Sequence, residues 1–401
     1  LIVTQVLPPL RLKKNEERRL RGGHLWIYSN EVDIERTPLK AFMPGDAVEI
    51  VDAGGHSLGS GYVNPHSLIC ARLVSRDPAH HLDQSLLVHR LNIALSLRET
   101  LFAKPYYRLV HGEGDGLPGL VVDRFGEVVV AQITTAGMER QKAAVVAALA
   151  KVLKPACIVL RNDTPARQSE GLESYVETPL GDAPAGVAME ENDTRFEIDV
   201  LGGQKTGWFY DHRMNRARMR HYVKGRRVLD IFSYVGGWGV QALTAGAAEC
   251  VCIDASAKAV ERSHHNADLN GVADRLTSLE GDAFEALKAL RQERQRFDVV
   301  IADPPAFIKR KKDFKEGLNA YRRLNQMAMQ VLNKDGVLIS ASCSYHLDRN
   351  SLLDTVLKAS RHLDRQAQLV EQGHQGPDHP VHPAIAETDY LKAFVLRVLM
   401  N

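Results

Sequence analysis

Cysteine is scarce and unpatterned in this chain. Cys70, Cys157, Cys250, Cys252 and Cys343 are odd in number and contain no C-x-x-C pair. That argues against a disulfide framework and against structural zinc, so no metal is expected. No apolar run approaches the roughly 20 residues that span a bilayer, and no membrane partner is expected. Residues Leu1 to Leu10 lack the basic n-region and small-residue cleavage site of a signal peptide, which makes a cytoplasmic location the expectation. Internal repeats and low-complexity segments are missing too. What remains, with 44% hydrophobic and 25% charged residues, is the composition of an ordinary globular protein. Its 401 residues exceed the size at which one core stops growing, so two or three domains are expected.

Excess charge is also small, at +2, but its placement is uneven. Basic clusters stand at Arg11, Lys13, Lys14, Arg18, Arg19 and Arg21, at Arg213, Arg216, Arg218, Arg220, Lys224, Arg226 and Arg227, and at Lys309, Arg310, Lys311, Lys312 and Lys315. A charge run is usually a solvated face. The third cluster directly follows an Asp-Pro-Pro turn, where a phosphate backbone would lie if the substrate were nucleic acid.

Patterning divides the chain into three segments. Residues 1–76 read as a small β-rich unit: 47–51 alternates, Asp52-Ala53-Gly54-Gly55 is turn chemistry, and 58–63 returns as a strand. Residues 77–190 read as α+β, with helical spacing over 83–102 and 138–152 and short strands near 120–122, 128–133, 158–160 and 174–177. The Gly/Pro/Ala stretch 181–186 is a connector, and a hairpin near 196–200 bridges to the third segment, 191–401. There strands at 228–231, 250–253, 277–279, 299–301 and 337–341 alternate with helices at 237–245, 256–269, 283–290, 318–332 and 349–361, and 391–399 closes as a strand. That pace predicts a doubly wound, Rossmann-like parallel sheet of the α/β class.

Chemistry-bearing residues fall at the ends of these strands. Asp230-Ile-Phe-Ser-Tyr-Val-Gly236-Gly237-Trp238-Gly239 occupies the first strand-to-helix turn, where glycines let the backbone approach a ligand. Asp254 ends the second strand, placed for ribose hydroxyls, and Asp282 ends the third, placed for an adenine amino group. Both positions equally suit helix N-caps. A dinucleotide site wants G-x-G-x-x-G; here the glycines read G-G-x-G and Asp230 opens the loop. An acid is unfavourable beside a diphosphate and favourable beside an ammonium, so S-adenosylmethionine fits better than a nicotinamide cofactor. Asp303-Pro304-Pro305-Ala306-Phe307 follows the fourth strand and Ser342-Cys343-Ser344 the fifth. An acid and a thiol at one sheet rim point to nucleophilic chemistry on a flat ring. His346 is a further candidate beside the thiol, against the commoner fate of a surface histidine.

These residues resemble the class I S-adenosylmethionine-dependent methyltransferases. Over essentially the whole chain the sequence is similar to the large-subunit ribosomal RNA 5-methylcytosine methyltransferases that carry an N-terminal PUA domain. The likeness rests on Arg21–Asn30, Gly114–Arg124, Gln204–Arg213, Asp303-Pro304-Pro305 and Ser342-Cys343-Ser344. It implies a PUA-like unit, a catalytic Cys343 with Asp303, and 23S ribosomal RNA as partner; a homodimer is left open. It further implies cofactor contacts at Lys205, Thr206, Phe209 and Arg213 in a lid, and at Asp230, Phe232, Ser233, Gly236, Asp254, Ser256, Asp282, Ala283 and Asp303 in the sheet. Substrate contacts are implied at Pro304, Pro305, Phe307, Lys309 and Arg310. In this chemistry the Cys343 thiolate adds to carbon 6, and Asp303 stabilises the ring either protonated or hydrogen-bonded to it. One departure stands out. Where some RNA cytosine methyltransferases have a second cysteine after Pro-Pro, this chain has Ala306-Phe307, which leaves the base for the carbon 5 proton unassigned. Two other readings stay open: methylation of an exocyclic amine, which needs no thiol, and an inactive RNA-binding assembly factor.

Overall fold

The structure, a computed structural model, describes residues 6–400. It forms two compact units: one up to Val187, with Asp199–Trp208 and Pro377–Thr388, and one of Ala188–Ile198, Phe209–Gly376 and the chain from Asp389 onward.

The first unit holds two five-stranded sheets. One has the strand order Pro9–Arg11, Asp46–Val51, Ser57–Val63, Ile69–Ser75, Trp26–Tyr28, and buries Leu10, Val48, Ile50, Val63 and Leu73. The expected hairpin turns at Gly54-Gly55, with Ile50 opposite Gly59. The other has the order Tyr175–Leu180, Cys157–Asn162, Val128–Ile133, Leu120–Phe125, Tyr106–His111, and packs on the helices Gln84–Leu101 and Lys142–Leu153. Buried polar contacts tie the two sheets together. Tyr62 Oη donates to the Pro118 carbonyl at 2.9 Å, and Asn64 and Arg72 both donate to the buried Glu170.

Two sequence expectations fail here. The helix expected over 138–152 breaks at Gln141 into Ala136–Arg140 and Lys142–Leu153. Gly137 lies under the Tyr62 ring, where a Cβ would meet ring atoms at 2.1 Å, so the first piece also packs on the first sheet, while its Met138 joins the core of the second. The hairpin expected near 196–200 is instead Val187–Glu191 with Thr194–Ile198. Its turn is Asn192-Asp193, with φ of 50° and 59°, the left-handed pair that a two-residue hairpin requires.

The second unit is a seven-stranded sheet: β1 (Arg227–Ile231), β2 (Glu249–Asp254), β3 (Leu276–Glu280), β4 (Phe297–Ala302), β5 (Leu332–Ser342), β6 (Arg365–Gly373) and β7 (Lys392–Met400), in the spatial order β3-β2-β1-β4-β5-β7-β6. β1 to β5 are parallel; β7 runs antiparallel to both β5 and β6. Helices α1 (Gly239–Thr244), α2 (Ala257–Leu269), α3 (Ala283–Gln292), α4 (Phe314–Gln330) and α5 (Arg349–His362) connect them. Central strands buried on both faces read as Val/Ile/Leu runs, which is why their positions were legible in sequence.

Differences from expectation lie at the margins. α4 begins at Phe314 because its first turn is charged and solvent-facing, and Leu332 belongs to β5 rather than to that helix. β6 reads Arg-Gln-Ala-Gln-Leu-Val-Glu-Gln-Gly, a polar and largely exposed edge strand without the apolar signature of its neighbours. α1 starts at Gly239, two residues later than expected.

Candidate functional site

The β1–α1 turn is tight and strained. Phe232 (φ 65°), Tyr234 (φ 49°) and Gly236 (φ 83°) are left-handed, at a cost of order 1–3 kcal/mol for each non-glycine. At Gly239 a Cβ would meet the Cys252 sulfur at 2.6 Å, so glycine lets α1 close onto the sheet. Asp230 lies beneath this turn, fully buried. Its Oδ2 accepts from the Gly239 N–H at 2.9 Å, while Oδ1, like the buried Ser233 Oγ, has no partner among the described residues. Burial pushes the Asp230 carboxyl up to about 7; the Gly239 N–H opposes this, and Asp303 and Asp254 add to it. An orphaned buried acceptor costs about 1–3 kcal/mol. A ligand ammonium would relieve it, whereas a diphosphate would face three acids. The turn thus fits the methionine end of S-adenosylmethionine.

Asp254 has a structural task that helix capping does not describe. Oδ2 accepts from Tyr234 N–H at 2.8 Å and Oδ1 from Ser256 N–H at 2.9 Å, stapling the β1–α1 turn to the end of β2. The cap of α2 is Ser256, whose Oγ accepts from Ala259 N–H. Asp282 does cap α3: its Oδ1 accepts from Phe284 and Glu285 N–H at 2.9 and 3.1 Å, ahead of the buried Ala283. Both capping bonds fall on one oxygen.

Asp303 and Cys343 leave the sheet at neighbouring strand ends, since Ala302 of β4 pairs with Ser340 of β5. Asp303 Oδ1 faces His212 Nε2 at 3.1 Å and Oδ2 accepts from the Trp238 indole at 2.9 Å. Burial alone would raise this carboxyl. His212, together with the hydrogen bonds from His212 and Trp238, outweighs that and holds it below the usual carboxylate range. Both partners donate to the carboxylate form of Asp303, so it serves as an acceptor. Asn215 Nδ2 stands 3.1 Å from His212 Nδ1, on the side of the ring away from Asp303. Pro304 is buried and Pro305 exposed.

Cys343 is half-buried, in contrast to the four other cysteines, all buried. The serines beside it hold the turn. Ser342 Oγ donates to Tyr321 Oη, and that hydroxyl also bonds Ser344 Oγ, each at 2.9 Å. Lys392 donates to the Ser344 carbonyl at 2.6 Å. A pocket of about 360 Å³ in the same unit is lined by Lys311, Tyr345, His346 and Lys392 among others. Phe307 contacts Phe232, Phe284 and Tyr321 at ring separations of 6.3, 6.4 and 4.9 Å, which gives it a packing role under the Asp-Pro-Pro turn.

The remaining expected residues divide between the units. Phe209 meets the Tyr234 ring edge-on at 5.6 Å, beside the β1–α1 turn. Arg213 is buried over the Tyr210 ring and lies 3.9 Å from Glu191, which also takes Arg216 and Gln241. Lys205 and Thr206 belong to the other unit: Lys205 is exposed, and Thr206 Oγ1 donates to Asp123 at 2.6 Å. Lys309 and Arg310 are exposed, with Arg310 paired to Asp313. Much of the second basic cluster is structural, through Arg216–Glu191, Arg218–Glu371 and Arg227–Glu249. In the first, Arg19 and Arg21 pair with Glu31 and Asp52, while Lys13, Lys14 and Arg18 are exposed.

Sequence reasoning missed His212, Trp238, Asn215, Tyr321 and Lys392. Trp238 carried a signal, an indole donor inside a glycine turn that faces acids. His212 stood inside the Gln204–Arg213 string. Lys392 carried none, because only strand register brings it to Cys343. Among the described residues no His/Cys/Asp/Glu cluster could hold a metal, and no helix is long and apolar enough to cross a membrane.

Comparison with known proteins identifies the family and the fold. Residues 168–397 match the S-adenosylmethionine-dependent methyltransferase family, and residues 10–76 match the PUA-like domain. The chain is 36% identical over 395 residues to the ribosomal RNA large subunit methyltransferase I of Erwinia tasmaniensis, covering 97% of this chain and 99% of that one. Identity to the protein of the same name from Escherichia coli is 36% over 396 residues, with 97% and 99% covered. A solved structure with S-adenosylhomocysteine bound superposes with a TM-score of 0.84 at 19% identity, over 98% of this chain and 100% of that one. A second solved structure, from Streptococcus mutans, gives 0.82 at 19% identity with the same coverage. With its PUA-like domain and seven-stranded catalytic sheet, this chain belongs to the S-adenosylmethionine-dependent methyltransferases, in the family of the large-subunit ribosomal RNA methyltransferases I.

Proposed function

We propose that this protein methylates carbon 5 of a cytosine in large-subunit (23S) ribosomal RNA through a covalent bond between Cys343 and carbon 6. The observation behind the reading is the pairing of β4 with β5, which brings side by side the strand ends that lead into Asp303 and the half-buried Cys343, at the rim where open parallel sheets bind ligands. The names of its relatives support the RNA class.

Carbon 5 of cytosine is a weak nucleophile. Addition of the Cys343 thiolate forms a sulfur–carbon bond at carbon 6 and shifts the ring electrons toward carbon 5. S-adenosylmethionine, when bound, supplies the electrophilic methyl group. Asp303 accepts a hydrogen bond from the exocyclic amine and orients the ring, with the Pro304 carbonyl available to the second amine proton. Loss of the carbon 5 proton to a base then expels Cys343 and restores the aromatic ring. The target base has to be unstacked to reach the site.

RNA carrying 5-fluorocytidine at the target tests this, because fluorine cannot leave as a proton. Denaturing gels are expected to show an RNA adduct with the wild type and none with Cys343→Ser. Full methylation by Cys343→Ser, with no adduct, would favour transfer to the exocyclic amine. Absence of cofactor binding in calorimetry would favour an assembly factor.

A further inference from the structure

Lys392 is 5% exposed at the start of β7, an unusual place for an ammonium. Its register partner is Ser342, one residue before the thiol. It donates to the carbonyls of Ser344 and Tyr390 at 2.6 and 2.7 Å, and no carboxylate of the described residues lies within ion-pair distance of it. Two neutral carbonyls satisfy hydrogen bonds but do not neutralise a buried cation. The groups facing it are Cys343, Asp389 and Asp348, which favour the charge, and Arg349, which opposes it; Lys311 and His346 share its pocket.

We propose that Lys392 is a positioning residue for Cys343: it fixes the Ser342–Ser344 turn through the Ser344 carbonyl, and its ammonium holds the neighbouring sulfur as the thiolate. The inference rests on the reading that Cys343 is the nucleophile. An opposite charge within a few ångströms lowers a thiol's pKa by about 1–3 units, and the proton released goes to solvent. Burial pulls the Lys392 ammonium down to about 8, and Cys343 pushes the other way, as expected of a cation that depends on its thiolate neighbour.

The test is the pH profile of Cys343 alkylation by iodoacetamide, followed by mass spectrometry on the full chain without RNA or cofactor. The wild-type midpoint is expected at least about one pH unit below that of an unperturbed cysteine, near 8.5. Lys392→Met is expected to move it up by about one unit or more and Lys392→Arg to restore it. An unchanged midpoint in Lys392→Met would overturn the proposal. Should that variant fail to fold, a wild-type midpoint at or above 8.5 overturns it equally well. None of these readouts involves methyl transfer. Failure of the covalent mechanism, seen as full activity in Cys343→Ser, is therefore a separate result.

Discussion

His212 Nε2 stands 3.1 Å from Asp303 Oδ1, and Asn215 Nδ2 stands 3.1 Å from the opposite ring nitrogen, which holds the ring in place. The acid of the Asp-Pro-Pro turn is thus held ionised and in one orientation by residues distant in sequence.

Replacing His212 by Phe fills the volume and removes the donor. A hydrogen bond to a charged group is worth about 1.5–3 kcal/mol, so kcat is expected to fall about 10- to 100-fold with cofactor affinity retained. The stability effect has a definite sign. Asp303's folded pKa lies below its unfolded value, so the pairing stabilises above the unfolded pKa and is lost as pH falls through the folded one. The difference in Tm between wild type and variant should be largest at neutral pH and shrink below about pH 4. A constant difference would contradict it.

Asp230 should make cofactor affinity pH-dependent. With its carboxyl near 7, the charge that attracts the ligand ammonium appears only as pH rises through that value. Affinity by calorimetry should increase about eightfold from about pH 6 to about pH 7.5, and Asp230→Asn should abolish the slope. For the ligand-free protein the sign reverses. A raised acid pKa gives stability below the unfolded pKa that is lost as pH rises toward 7, so Asp230→Asn should raise Tm most at about pH 8.

Asp254→Ala is expected to weaken cofactor binding by about 1.5–3 kcal/mol while RNA affinity stays unchanged. Its bonds from Tyr234 N–H of the turn and Ser256 N–H at the head of α2 make some loss of Tm expected as well. Equal cofactor affinity would reduce Asp254 to a brace for the β1–α1 turn.

Residues Lys13, Lys14 and Arg18 are exposed charges of the first basic cluster that make no ion pair among the described residues, whereas the exposed Arg21 is paired with Asp52. Changing all three to Ser should weaken RNA binding and make its salt dependence shallower, by up to about 0.7–0.9 in the log–log slope for each phosphate no longer neutralised. Arg19 and Arg21 are already paired, and their removal should cost stability first. Deleting residues 1–76 outright is a poorer test, because it strips Asn64 and Arg72 from the buried Glu170. An unchanged salt slope in the triple variant would mean that these charges only solvate the domain.

The sequence by itself determined the parallel strands of the catalytic sheet and the acids and thiol at their ends. Strands buried on both faces must be apolar throughout, and helices packed over them must repeat every three to four residues. Asp230, Asp254, Asp282, Asp303 and Cys343 were legible because strand-end position follows from that pattern. What it did not carry were contacts set by register and by long-range return of the chain. The polar edge strand β6 lacks a buried face to betray it. The stretch Pro377–Thr388 folds into the first unit, where Asp378 takes hydrogen bonds from Arg98 and Arg108, though nothing local marks it. His212 meets Asp303 across 91 positions, and Lys392 reaches the Ser344 carbonyl only because β7 pairs with β5 in one register. Local pattern reports which residues must be buried; only the closed tertiary structure decides which buried groups meet, since that depends on pairings between segments that carry no mark of each other.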